Sequence, residues 1–177
     1  EVENDANCYA LGEGWGGAAT DLRDYVVITL GSGVGGGIVL GGRLLRGSHG
    51  MAGEPGHIVV GTNEPCGCGG MGHVEAIAGA NAIEREAALC GFPPDVKILW
   101  RDRSNPLVSP IWDRAFEALG KAVATVVHLF DPEAVIVGGG MSRGEGFVDA
   151  LREWTKRFLS GPYLDILDLR TSALGND

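Results

Sequence analysis

Basic residues, aromatic residues and long hydrophobic runs are all scarce in this sequence of 177 residues. Lysine and arginine number 14 against 23 acidic residues, which gives a formal net charge of −9. Nucleic acids and anionic membranes recruit basic surfaces, so neither is an expected partner. No apolar run approaches the roughly 20 residues that span a bilayer, and the first residues lack the basic and apolar regions of a signal peptide. We therefore expect a cytoplasmic protein.

The sequence also lacks an initiator methionine, since it begins with Glu1, and we expect it to be part of a longer protein.

Cysteines are few and uneven in spacing. In a reducing compartment, the close pair Cys66 and Cys68 favours metal binding over a disulfide framework. Cys8 and Cys90 are expected to be ordinary core or helix residues.

Glycine, by contrast, is abundant, at 30 of 177 residues, which is more than twice the typical fraction of about 7%. The glycines cluster between periodic segments, which excludes a collagen-like repeat and a disordered linker. The clusters lie at residues 31–37, 41–42, 50–56, 67–72 and 138–146. With 45% hydrophobic residues, a chain of this length is expected to fold as a single domain.

Hydrophobic periodicity predicts a β-rich beginning followed by alternating helices and strands, and therefore an α/β fold. The predicted strands are residues 25–30, 38–40, 58–60, 134–137 and 164–169. The predicted helices are residues 4–12, 74–80, 81–89, 111–130 and 146–159, the third with Asn81 as its N-cap.

The first glycine cluster contains the pattern G-x-G-x-x-G at Gly31, Gly33 and Gly36. A dinucleotide-binding turn must open a helix, whereas these glycines lead into a strand, and a P-loop would need a following Gly-Lys-Ser/Thr. What remains is a strand-loop-strand hairpin. Its tip either brings backbone N–H groups close to a phosphate or is merely flexible.

A second cluster, residues 138–140, directly follows the strand predicted at 134–137. Ligands of open α/β sheets bind at the carboxyl ends of strands, so this loop is expected either to pack against the base or ribose of a nucleotide or to be a structural turn.

His57, Cys66, Cys68 and His73 are residue types suited to tetrahedral Zn²⁺, and a closed set of this kind is typical of a structural metal site. The alternative is a glycine-rich loop with incidental cysteines. Glu54 and Glu75 flank these residues, so a metal loop would hold the two carboxylates near each other, and as hydrogen-bond acceptors they suit vicinal hydroxyls. Asn4 and Asp5 precede a predicted helix, where N-capping is the default explanation for either residue.

Taken together, five segments resemble, in order, the ROK family of sugar kinases and repressors, particularly its bacterial glucokinases. The segments are Glu3-Asn4-Asp5-Ala6-Asn7, residues 29–37, Gly53-Glu54-Pro55-Gly56-His57, residues 66–75 and residues 135–140. The resemblance implies an actin-like ATPase (ribonuclease H-like) fold with two lobes. Residues 1–177 would form the C-terminal, sugar- and ATP-binding lobe with a zinc loop inserted at roughly residues 57–75. The N-terminal lobe would be absent, and this segment would be inactive alone.

The resemblance also implies a role for each matching residue. Asp5 corresponds to the general base of the family. The sugar ligands would be Asn4, Glu54, His57 and Glu75. The nucleotide would be held by a phosphate loop that includes Gly31, Ser32, Gly33 and Gly35 and by an adenosine site at Gly138, Gly139 and Gly140. The implied cofactors are ATP, Mg²⁺ and a structural Zn²⁺ held by His57, Cys66, Cys68 and His73. One departure is His73, because the metal motif of the family usually ends in a third cysteine.

The implied activity is ATP-dependent phosphorylation of a hexose, with glucose as the expected substrate and fructose, allose and N-acetylmannosamine as alternatives. A sugar-sensing transcriptional repressor of the same family and a non-catalytic, zinc-stabilised interaction domain are the rival functions. Retention of Asp5 and of both glycine loops favours the kinase. The resemblance also implies a homodimer or homotetramer.

Overall fold

The structure is a computed structural model that describes residues 4–61 and 63–175. Glu3, the first residue of the segment that resembles the catalytic motif, lies outside the described residues. Within them, the strands form one mixed sheet in the order β3-β2-β1-β4-β5. These strands are β1 (Tyr25–Leu30), β2 (Val34–Leu40), β3 (Arg43–Leu44), β4 (Ala134–Gly138) and β5 (Leu169–Thr171). β1, β2 and β3 pair antiparallel, whereas β4 lies parallel to both β1 and β5.

The helices cover both faces of this sheet. They are α1 (Asp5–Gly16), α2 (Glu75–Ala78), α3 (Ala80–Leu89), α4 (Val96–Arg101), α5 (Ser109–Phe130), α6 (Phe147–Lys156) and α7 (Pro162–Ile166), with 3₁₀ turns at Pro55–His57 and Met141–Arg143. None of the helices in the described part of the chain combines the length and apolar character needed to cross a bilayer.

Side chains of the central strands alternate between two cores, as the pleat of a strand requires. Val26, Ile28 and Leu30 of β1 join the larger cluster, to which α5 and α6 contribute. Tyr25 and Val27 point to the opposite face and pack in a smaller cluster with α1. The sheet is therefore the middle of three layers, and α1 lies on the face opposite α5. The predicted α/β class is confirmed.

Strand β2 has three glycines among its seven residues, and neighbouring segments approach it closely there. A Cβ atom at Gly36 would lie 2.6 Å from the carbonyl oxygen of Val27 and 2.6 Å from Cδ of Pro55. At Gly37 it would lie 2.7 Å from Cβ of Ala10. Glycine in a strand often marks such a close approach of another backbone. Here it lets α1 and the turn at Pro55 lie directly against the sheet.

The structure corrects several element predictions. The second strand begins at Val34 rather than at residue 38, because residues 34–37 pair with β1. Residues 58–60 form no strand; Val59 makes only an isolated bridge to His73. The strand predicted at residues 164–169 is wrong, since Pro162 starts helix α7 and β5 begins only at Leu169.

Two further differences concern helices. The N-cap of α3 is Gly79 rather than Asn81, whose own backbone N–H donates to the carbonyl of Ser32 at 3.2 Å. Helix α4 was not predicted at all. The long helix was predicted nearly to its bounds, and it ends where Asp131 adopts a left-handed conformation with φ of 44°.

Candidate active site

A cavity of about 670 Å³ lies where β1 and β4 end, beside the N-terminus of α1. Its lining residues are Asn4, Asp5, Ala6, Tyr9, Thr29, Gly31, Ser32, Gly33, Val34, Gly35, Glu54, His57, Cys68, Glu75, Gly139 and Gly140. The fold thus brings together the residues predicted for catalysis and sugar binding with most of those predicted for the nucleotide. Gly138, Cys66 and His73 do not line this cavity.

Asp5 is the first residue of α1 and is exposed at the cavity. Asn4 caps the helix, because its Oδ1 accepts a hydrogen bond from the backbone N–H of Ala6 at 2.8 Å. The same N–H lies 2.8 Å from Oδ1 of Asp5. Capping by Asn4 and placement of Asp5 in the cavity therefore occur together, since the cap fixes where the helix starts.

Tyr9 lines the same cavity and was missed by sequence reasoning. It lies one helical turn beyond Asp5, and this i,i+4 spacing was the available signal. Its hydroxyl is 2.5 Å from Oγ of Ser172, which in turn donates to Oε1 of the buried Glu13 at 2.5 Å. The ring lies beside Gly138, where a Cβ atom would be 2.7 Å from Cε1 of Tyr9. This network ties α1 to the segment that follows β5.

The first glycine loop is a tight turn at residues 31–33, in which the N–H of Gly31 donates to the carbonyl of Gly33 at 3.0 Å. Gly139 closes the opposite wall. Its φ is +88°, and a Cβ atom there would lie 2.7 Å from the backbone nitrogen of Leu30. Only glycine fits this position without strain, so the second loop can lie flush against the end of β1.

The predicted metal ligands converge. One ligand atom from each of His57, Cys66, Cys68 and His73 lies within 4.8 Å of all the others. Sγ of Cys68 is 3.2 Å from Nδ1 of His73. Both cysteines and His73 belong to a hairpin held by backbone bonds, such as that from the N–H of Cys66 to the carbonyl of Gly70 at 2.9 Å. His57 ends the 3₁₀ turn that packs against β2.

The chemistry of this cluster fits zinc. Tetrahedral bonds of about 2.0–2.3 Å place ligand atoms roughly 3.3–3.8 Å apart. The distance of 3.2 Å between Cys68 and His73 is close to this range, and the limit of 4.8 Å for the whole cluster lies about 1 Å above it. Nδ1 of His57 is buried and has no hydrogen-bond partner among the described residues. Burial raises the pKa of the Cys66 thiol above its ordinary value; the backbone N–H of Cys68 opposes this shift, whereas the side chains of Cys68 and Glu75 add to it. A cation at this point would favour the thiolate and supply the imidazole with a partner.

A second cavity, of about 470 Å³, adjoins the first and shares Gly31, Ser32 and Gly140 with it. Its other lining residues are Ala80, Val96, Lys97, Trp100, Trp112, Met141, Arg143 and Gly144. The indole N–H of Trp100 is buried without a hydrogen-bond partner in the described ranges. Sequence reasoning missed these residues because several of them belong to the unpredicted helix α4.

Comparison with known proteins gives a consistent result. The sequence matches the ROK family over residues 1–177. It is 39% identical to a glucokinase of Thermotoga maritima over 99% of this chain and 62% of that protein. The chain thus spans about six tenths of the length of this relative.

Solved structures agree with the sequence match. A ROK hexokinase from Thermus thermophilus superposes with a TM-score of 0.89 at 38% identity, over 98% of this chain and 60% of that one. A ROK family glucokinase from Streptomyces griseus in complex with glucose and AMPPNP gives 0.84 at 32% identity, over 98% and 63%. A ROK family transcriptional regulator, a homologue of the E. coli MLC protein, gives 0.83 at 30% identity, over 98% and 48%. The fold is that of actin-like ATPases, as the resemblance implied, and the chain belongs to the ROK family.

Proposed function

We propose that this chain is the sugar- and nucleotide-binding lobe of an ATP-dependent hexose kinase, with glucose as the substrate and Asp5 as the general base. The observation that carries the proposal is the single cavity shared by Asp5, the predicted sugar ligands and both glycine loops. The similar proteins support it, since one is a glucokinase and another is a ROK family glucokinase whose structure contains glucose and AMPPNP. A preceding lobe would close the other side of the cleft.

Asp5 has the chemistry that the first step needs. A sugar hydroxyl is a weak nucleophile, so a carboxylate that accepts its proton during attack on the γ-phosphate accelerates transfer. Asp5 is exposed at the cavity, and its backbone is fixed by the Asn4 cap. We assign to Asp5 the role of accepting the proton of the attacking hydroxyl, and to Asn4 a hydrogen bond to a hydroxyl of the same sugar.

Glu54, His57 and Glu75 form the rest of the proposed sugar site. Their side chains line the cavity together with Asp5. Carboxylates accept hydrogen bonds from hydroxyls, and an imidazole can use one nitrogen for a metal and the other for a hydroxyl. Zinc bound by His57, Cys66, Cys68 and His73 would fix the orientation of the His57 ring. The metal thus orders the pocket and takes no part in phosphoryl transfer.

The glycine loops form the proposed nucleotide site. The phosphates would lie against the loop that includes Gly31, Ser32, Gly33 and Gly35, and residues 138–140 would pack against the adenosine. Mg²⁺ bound with the nucleotide supplies charge that stabilises the transferring phosphoryl group. The cavity of about 470 Å³ beside Trp100 and Trp112 has the aromatic walls that suit a base. This cavity adjoins the turn at residues 31–34, and Gly31 and Ser32 of that turn line both cavities.

The direct test is a coupled ADP-release assay on the whole protein across a panel of hexoses that includes glucose, fructose, allose and N-acetylmannosamine. We expect turnover, with the highest kcat/KM for glucose. Turnover with another hexose alone would replace the substrate and keep the reaction. No turnover with any sugar, alongside preserved sugar binding, would refute the kinase.

That last outcome would favour a sugar-sensing repressor, for which the similarity to the ROK family transcriptional regulator is the supporting observation. A repressor needs the sugar site and has no use for Asp5 or for bound nucleotide. Sugar affinity that is independent of Mg²⁺-nucleotide and of Asp5→Asn would identify it. We also propose a homodimer or homotetramer, which sedimentation of the whole protein would measure.

A further inference from the structure

Glu75 lies between the metal cluster and the turn at residues 31–34 and contacts both. Its Oε2 accepts a hydrogen bond from the backbone N–H of Val34 at 3.0 Å. Its Oε1 lies 3.6 Å from Sγ of Cys66. The proposed sugar role uses neither contact. A side chain that only bound a sugar would not need to be fixed to the loop on the nucleotide side.

Three hydrogen bonds from α2 and α3 hold the turn at residues 31–34, which we call the phosphate turn. The N–H of Ala80 donates to the carbonyl of Gly31 at 2.9 Å, and the N–H of Asn81 donates to that of Ser32 at 3.2 Å. The Glu75 carboxylate completes the series at Val34. The carboxylate is also pressed against the turn, since a Cβ atom at Gly33 would lie 2.9 Å from Cδ of Glu75.

These contacts link the phosphate turn, through α2 and the start of α3, to the hairpin that carries Cys66, Cys68 and His73. Glu75 follows His73 by only one intervening residue, and α2 is the short helix that it begins. A hydrogen bond to a charged acceptor is among the stronger ones available to a backbone N–H, so the Val34 contact has a large share in fixing the turn.

We propose that Glu75 is a positioning residue for the nucleotide: by holding Val34, it sets the shape of the turn at residues 31–34 and with it the affinity for Mg²⁺-nucleotide in the absence of sugar. The inference rests on the proposed function in one respect, that this turn binds phosphate. It assigns to Glu75 a second role that is separable from any contact with a hydroxyl.

The test uses the whole protein and four forms of it: wild type, Glu75→Ala, Glu75→Gln and Glu54→Ala. Two quantities are measured without sugar, the Kd for Mg²⁺-AMPPNP by calorimetry and hydrogen exchange of the amides at residues 31–35. The glucose Kd is measured separately. Glu54→Ala is the matched control, because Glu54 also lines the sugar side of the cavity. Within the described residues, its side chain makes no hydrogen bond to the turn like the one that Glu75 accepts from Val34.

We expect Glu75→Ala to raise the nucleotide Kd about tenfold or more and to speed exchange at Val34, because a charge-assisted bond is lost. Glu75→Gln keeps an oxygen that can accept from Val34, so its nucleotide Kd should stay within about threefold of wild type while its glucose Kd rises. Glu54→Ala should weaken glucose binding only.

An unchanged nucleotide Kd and unchanged exchange at Val34 in Glu75→Ala would overturn the inference and leave Glu75 as a sugar ligand alone. Failure of wild type to bind Mg²⁺-AMPPNP would instead count against the proposed function. In that event the exchange data still decide whether Glu75 positions the turn.

Discussion

Sγ of Cys68 lies 3.2 Å from Nδ1 of His73, the residue at the position where the metal motif that this sequence resembles usually has its third cysteine. Histidine is a good zinc ligand, and the substitution turns a site of one histidine and three cysteines into one of two and two. The cluster therefore keeps a complete set of donors despite the departure in sequence.

From this geometry we expect the purified whole protein to carry near-stoichiometric zinc. His73→Cys should keep the metal, whereas His73→Ala should lose most of it because only three protein ligands remain. Zinc is measured by elemental analysis after gel filtration. Cys90→Ala is the control, since Cys90 is exposed at the end of α3. A wild-type protein without zinc would rule out the metal assignment.

The adjacent glycines Gly139 and Gly140 offer a test of the loop that follows β4. Gly139→Ala should lower the free energy of unfolding by about 2–5 kcal/mol, because the left-handed conformation and the close backbone of Leu30 both oppose a side chain. Gly140→Ala should change it by no more than about 0.5 kcal/mol, since nothing lies within 4 Å of the added methyl group. Urea unfolding compares the two, and equal losses would contradict the geometry.

Arg114 of α5 connects the hairpin that carries Cys66, Cys68 and His73 to helices α3 and α5. Its guanidinium pairs with Glu64 of the hairpin and, at 3.1 Å, with Oε2 of Glu86 on α3. We expect Arg114→Gln to cost about 1–2 kcal/mol in unfolding free energy, because it removes a charged hydrogen-bond partner from two partly buried carboxylates. Arg101→Gln, which removes a pair whose arginine side chain is 72% exposed, should cost less than about 0.5 kcal/mol. The reverse order in denaturant titrations would refute this role.

The pH dependence of stability has a defined source at β5. Arg170 pairs with Asp168 at 2.8 Å and with Asp21 at 2.9 Å, and its hydrogen bond lowers the pKa of Asp21 below the ordinary 3.8. A lowered carboxyl pKa contributes stability that is fully present above 3.8 and is lost as the pH falls through the lower, folded value.

Arg170→Met should therefore be less stable than wild type at neutral pH, and the difference should shrink as the pH falls below 3.8. Urea midpoints at a series of pH values measure it. A difference that stays constant through the acid range would mean that the ion pairs do not stabilise this edge of the sheet, and that packing of the arginine stem or its hydrogen bond to the carbonyl of Ala18 does.

Long periodic elements were predictable from the sequence, and short ones were not. β1 and α5 have enough residues for their patterns to be unambiguous. Residues 58–60 are β-branched and were predicted as a strand, yet the segment makes only an isolated bridge, between Val59 and His73, and joins no sheet. Short apolar runs fit helix and strand equally well, which explains both the missed α4 and the error at residues 164–169.

The candidate site shows the same division. The side chains of His57, Cys66, Cys68 and His73 have a chemistry that made them candidate metal ligands without a structure. Tyr9 and Trp100 are ordinary aromatic residues in the sequence, and only tertiary packing places them at the cavities. The bond from Val34 to Glu75 joins residues far apart in the chain, so no local pattern encodes it.

Asp5 is the residue on which the proposed kinase depends, and the kcat of Asp5→Asn in the whole protein tests it most directly. Asparagine keeps the size of the side chain and removes its basicity, so kcat should fall by about 10²–10⁴-fold, the usual contribution of a general base. The Kd values for glucose and Mg²⁺-AMPPNP should stay within about threefold of wild type. Asp113→Asn, an exposed position on α5, is the control. A kcat for Asp5→Asn equal to that of wild type, with both ligands bound normally, would contradict the assignment.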